Sequence, residues 1–129
     1  MTTRLTIGDV ARRAGVAQTT LRYYEQVGLL PPPERLGGQR RYQESILVRL
    51  EVIRLCKAAG FTLEEITVLI GDDRPGRPAA RALAETKLTE IDAQMDSLAR
   101  AREIIQWGMR CTCPSIDACT CGIHQALPA

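Results

Sequence analysis

The residues best equipped for chemistry sit together near the C-terminus. Cys111-Thr-Cys113-Pro-Ser-Ile-Asp-Ala-Cys119-Thr-Cys121-Gly-Ile-His124 contains two Cys-x-Cys pairs separated by five residues. Four of the five cysteines therefore fall within eleven residues. Thiolates are soft ligands, and four in one short loop can close around a single thiophilic ion. Pro114 and the Ser-Ile-Asp stretch supply a turn that returns the second pair to the first. The same thiols are also suited to direct oxidation by an oxidant. His124, the sole histidine, joins Cys111, Cys113, Cys119 and Cys121 as a candidate ligand. Cys56 stands apart on an apolar helix face and reads as packing.

Enzyme classes find little support. No nucleophile–base pair, carboxylate pair or phosphate-cradling glycine loop is present, and one histidine offers little general-base chemistry. An all-thiolate loop tends to close around its ion rather than keep a catalytic position open.

The remaining elements must position this loop and give it something to act on. The 129 residues are 45% apolar and 25% charged, with one Phe, one Trp and three Tyr. That suits helices packed through Leu, Ile, Val and Ala better than one large aromatic core. No apolar run approaches the roughly 18 residues that span a bilayer. No signal-peptide apolar core begins the chain. A cytoplasmic location with reduced thiols is the expectation. Residues 1–60 hold ten Arg/Lys against five Asp/Glu, whereas residues 61–129 hold seven against ten. A basic half followed by an acidic half points to a nucleic-acid-binding head and a tail with another task.

Thr6 with Asp9 forms a capping box before Ile7, Val10 and Ala11, giving a helix that ends near Gly15. A second helix spans about Ala17 to Val27, with Leu21, Tyr24 and Val27 inward. Two short helices joined by a tight turn containing glycine form a helix-turn-helix. Pro31 to Pro33 exclude helix, and Gly37-Gly38 turns a small wing between Arg35 and Arg40-Arg41-Tyr42. A third helix is expected over about Gln43–Ala59, with Ile46, Leu50 and Ile53 buried. Thr62 and Glu65 cap a fourth. The fold class is mainly α: a winged helix-turn-helix head over 1–70, a linker at 71–78, a long helix over 79–109 and a Cys-rich tail from 110 to 129. Along the long helix, Ala84, Leu88, Ile91, Met95, Leu98 and Ile105 recur at steps of three and four, interrupted by Arg102. This is about three heptads, which predicts a coiled-coil homodimer.

The head is expected to grip duplex DNA. The second helix would enter the major groove, with Gln18, Thr19 and Arg22 near base edges and the Tyr23 hydroxyl on a phosphate. Arg12 and Arg13 flank the turn. Arg35, Arg40, Arg41 and Tyr42 on the wing, and Arg54 with Lys57 beside it on the third helix, would hold further phosphates.

These segments resemble the MerR family of transcriptional regulators. The likeness runs through TIGDVARRAGVAQTTLRYYEQVGLLPPPERLGGQRRY and LVRLEVIRLCKAAGFTLEEI. It is most specific in the first 70 residues and extends over essentially the whole chain. It implies a homodimer held by an antiparallel pair of long helices, and promoter DNA whose spacer is bent and untwisted for RNA polymerase when the effector binds. Cys113 and Cys121 match two ligands, separated by seven residues, of the family's copper and zinc sensors. The implied effector is zinc, copper(I), mercury or cadmium. Cys111, Cys113 and Cys119 also match three of four positions in the family's [2Fe-2S] redox sensors, but Gly108 stands where the fourth ligand would be. The family's divalent-ion sensors carry a cysteine at the start of the long helix. Here that region reads Arg74-Pro-Gly-Arg-Pro-Ala-Ala.

Overall fold

A computed structural model of the chain describes residues 4–122. His124 lies outside the described residues. The elements run β1 (Arg4–Leu5), α1 (Ile7–Ala14), α2 (Gln18–Gln26), β2 (Glu34–Leu36), β3 (Gln39–Gln43), α3 (Ile46–Ala58), α4 (Leu63–Gly71) and α5 (Pro78–Arg110). Two compact units divide the chain, 1–83 and 84–129. No helix among the described residues is long and apolar enough to cross a membrane.

Both capping boxes form. Thr6 Oγ1 accepts the Asp9 amide at 3.1 Å, and Asp9 Oδ2 accepts the Thr6 amide at 3.1 Å. Thr62 and Glu65 exchange the same pair of bonds at the start of α4. Gly15 follows α1 with φ 70°, a left-handed conformation that suits a residue without Cβ. The turn before α2 is therefore sharp, and α1 and α2 pack as a helix-turn-helix.

The core of the first unit gathers residues from β1, α1, α2, β3, α3 and α4. Val10, Leu21, Leu29, Leu30, Ile53 and Ile66 are fully or almost fully enclosed, with Leu5, Tyr24, Tyr42, Ile46 and Leu50 beside them. Cys56 packs against this cluster, and burial pushes its thiol pKa up. That agrees with a packing role.

Four details differ from the sequence expectation. Residues 39–43 belong to β3, so the third helix begins at Ile46 rather than Gln43. A short β1, absent from the expectation, pairs antiparallel with β3 through Arg4↔Gln43 and Leu5↔Tyr42. The sheet order is thus β1-β3-β2. Val27 lies just past α2 and is 41% exposed, not part of the inward stripe. The stretch between α4 and α5 is organised rather than open. Asp72 Oδ2 accepts the amides of Ala79 and Ala80 at 2.7 and 3.1 Å, capping the first turn of α5. Its other oxygen accepts Arg74 Nε at 3.1 Å. Arg77 donates to the carbonyls of Asp72 and Leu69. Burial opposes the Asp72 charge, but the Ala80, Ala79 and Arg74 donors outweigh it and hold the carboxyl pKa below its ordinary value.

Beyond this turn α5 has a different character. Leu88, Met95, Leu98 and Ile105 are each 60% or more exposed. Among the described residues of α5, Ala80 alone is buried.

Candidate nucleic-acid interface and metal centre

Exposed polar side chains cluster on α2 and the wing. Gln18, Thr19, Arg22 and Tyr23 are all exposed on α2. Arg35 is exposed on β2, and its guanidinium reaches only weakly to the Gly38 carbonyl at 3.5 Å. Arg12, Arg13 and Arg54 are exposed too, but each has a carboxylate of its own. Arg12 meets Asp9 at 2.7 Å, Arg13 meets Glu44 at 3.3 Å, and Arg54 meets Glu51 at 2.5 Å. A phosphate would have to compete with these exposed pairs, which are individually weak.

The wing is less uniform than its Arg-Arg-Tyr sequence suggests. Tyr42 is 2% exposed and pairs across the sheet with Leu5. Its hydroxyl donates to the Glu25 carboxylate on α2. Burial, reinforced by that carboxylate, pushes the Tyr42 pKa well above its ordinary value and keeps the donor proton in place. The expected phosphate contact from Tyr42 is therefore corrected: this side chain is a core strut. Strand alternation and the apolar residue opposite explain its inward face. Arg40 is half-buried, and its Nε lies 3.5 Å from the other Glu25 oxygen. Arg41 leans on Gln39 and the Arg40 carbonyl. Lys57 turns to Tyr24, donating to its hydroxyl at 3.3 Å.

Glu25 and Arg49 carry structural weight that the sequence expectation missed. Glu25 joins the second helix to the wing through Tyr42 and Arg40. Arg49 Nε donates to the Leu29 carbonyl at 3.0 Å, tying the exit of α2 to α3. Glu25 is the acid within an otherwise basic and aromatic run, and that was the available signal.

In the second unit, the four clustered cysteines converge. The Sγ atoms of Cys111, Cys113, Cys119 and Cys121 all lie within 4.8 Å of one another. Cys111 and Cys119 are 3.7 Å apart, Cys119 and Cys121 3.1 Å, and Cys121 and Cys111 3.6 Å. The turn that brings them together is local. The Cys119 amide donates to the Ile116 carbonyl at 3.2 Å, and the Ala118 amide to Ser115 Oγ at 3.1 Å. The Thr120 amide points at Cys113 Sγ from 3.4 Å. That amide, with the Cys111 thiol, lowers the Cys113 pKa to about 6. Its neighbours resist a second and third charge. A hydrogen bond with Cys121 is the main cause that pushes Cys119 up to about 12. For Cys111 the Cys113 amide pulls downward, but hydrogen bonds with the Cys121 and Cys113 thiols prevail and raise the pKa. Of these three thiols, Cys113 is the one most readily ionised. A cation that neutralises the sulfurs would release their protons.

A winged helix-turn-helix, a long helix with an open apolar seam and a thiol-lined loop together define a DNA-binding transcriptional regulator with a metal-binding cysteine cluster. The chain belongs to the MerR family. The family described as "MerR HTH family regulatory protein" matches residues 5–72, and "MerR, DNA binding" matches residues 47–107. The mercuric resistance operon regulatory protein of Serratia marcescens is 39% identical over 103 residues, covering 78% of this chain and 72% of its own. Among solved structures, the transcription regulator PbrR691 from Ralstonia metallidurans CH34, in complex with lead(II), superposes with a TM-score of 0.66. It is 32% identical, over 89% of this chain and 94% of its own. HiNmlR, a MerR family regulator bound to promoter DNA, is 27% identical with a TM-score of 0.55, over 81% of this chain and 83% of its own.

Proposed function

We propose that the chain is a cytoplasmic, homodimeric, metal-responsive regulator that binds promoter DNA and changes transcription when a thiophilic ion occupies the loop at 111–121. The convergence of four sulfurs within 4.8 Å carries this reading. It favours one ion over a [2Fe-2S] cluster, whose thiolates are divided between two irons. A relative that is a mercuric resistance operon regulatory protein, and lead(II) bound in the solved structure of another, support a soft-metal effector. On DNA, Gln18, Thr19 and Arg22 take base edges or adjacent phosphates, with Tyr23, Arg12, Arg13, Arg35, Arg40, Arg41 and Arg54 on the backbone. The open seam of α5 pairs with a second copy, so that two heads meet two half-sites. The ion shifts the balance between two dimer arrangements, one of which distorts the promoter spacer for RNA polymerase.

Replacing Cys113 with serine tests this. Operator affinity should remain near wild type in a footprinting titration, while metal-dependent transcription in a reconstituted assay should disappear. Unchanged induction in C113S would refute the proposed site.

A further inference from the structure

We propose that the cysteine loop is a tetrathiolate site, complete within one chain, that accepts a divalent four-coordinate ion of the zinc or cadmium class and discriminates against two-coordinate monovalent ions such as copper(I). This rests on the metal-responsive reading above and specifies the ion class for the same site.

Geometry is the first reason. With metal–sulfur bonds of about 2.3 Å, a tetrahedron of thiolates around zinc sets its sulfurs about 3.8 Å apart. Two of the pairs here already stand at 3.7 and 3.6 Å, and a third at 3.1 Å. The pairs that involve Cys113 lie within 4.8 Å, so all four sulfurs can be reached by one ion. A two-coordinate ion needs just two sulfurs, on opposite sides. If Cys113 and Cys121 held it, Cys111 and Cys119 would remain within 3.6 and 3.1 Å of Cys121. Those two thiols would crowd the bound ion.

Completeness is the second reason. All four sulfurs lie within 4.8 Å of one another in a single chain, so four ligands are available without a second copy.

The test uses the reduced full-length protein, handled without oxygen and titrated separately with cadmium(II) and copper(I). Thiolate-to-metal absorption gives the stoichiometry, and X-ray absorption counts the sulfurs. One cadmium per chain with four sulfur neighbours is expected. C111S and C119S should each weaken cadmium binding at least about tenfold, a loss of about 1.4 kcal/mol. In the wild type copper(I) should bind more weakly than cadmium(II), and neither C111S nor C119S should weaken copper(I) further; copper(I) binding tighter than cadmium(II) would overturn the discrimination. One cadmium per dimer, three or fewer sulfurs, or cadmium affinity indifferent to C111S and C119S would overturn the proposal. Transcription with each ion then separates the two readings. Induction by copper(I) with no response to cadmium overturns the divalent assignment and leaves metal regulation standing. If neither ion alters transcription, both readings fall.

Discussion

The two units of this chain solve the burial problem in opposite ways. In the first, α1, α2, β1, β3, α3 and α4 each give a side chain to one shared core, in which Val10, Leu21, Leu29 and Ile66 are completely enclosed. In the second, α5 holds Leu88, Met95 and Leu98 at 60% exposure or more. An apolar seam of that length is stable in water only when something covers it. The head has an enclosed core of its own, whereas the α5 seam lies uncovered among the described residues, and the proposed pairing with a second copy would cover it.

Mutations can break this contrast. The largest effect is expected from Leu21→Ala in the head, which should cost about 3–5 kcal/mol through lost burial and an unfilled cavity. Urea denaturation should show it as a lower midpoint, and operator binding should fall with it. Leu98→Glu on the seam should instead leave the head folded and weaken self-association about 100-fold, measured by sedimentation equilibrium. If Leu98→Glu destabilises the head as much as Leu21→Ala does, the contrast is wrong.

Asp72 lies where the two behaviours meet. Asp72→Ala should lower Tm by about 5 °C through loss of the cap on α5. Its pH dependence has a definite sign. The folded-state pKa lies below the ordinary 3.8, so the stabilisation is present above that value and disappears as pH falls through the lower one. Wild type and variant should therefore converge in acid, and a gap that persists there would remove the carboxylate from the explanation. The smallest effect is expected at the DNA surface. Arg35→Ala should reduce the slope of log affinity against log salt by about 1, with stability unchanged.

Local signals were the legible part of the sequence. Thr6 with Asp9 and Thr62 with Glu65 announce their helices within four residues, and the structure contains both boxes. The cysteine spacing likewise implied a loop that closes on itself. Contacts distant in sequence were less visible. Pairing of Leu5 with Tyr42 bridges most of the head, so β1 left no local trace, and Tyr42 looked like part of a basic wing. Asp72 looked like linker because its cap reaches seven and eight residues forward, beyond the usual capping spacing. The seam of α5 was legible as a pattern because periodicity survives in any single chain.

Glu25 gives the head a property that a contact map on DNA would not suggest. One of its oxygens takes the Tyr42 hydroxyl, and the other faces Arg40. Helix α2 and the wing are therefore joined by one shared carboxylate. On the proposed reading that both touch DNA, the spacing between them is set inside the head and not by the duplex.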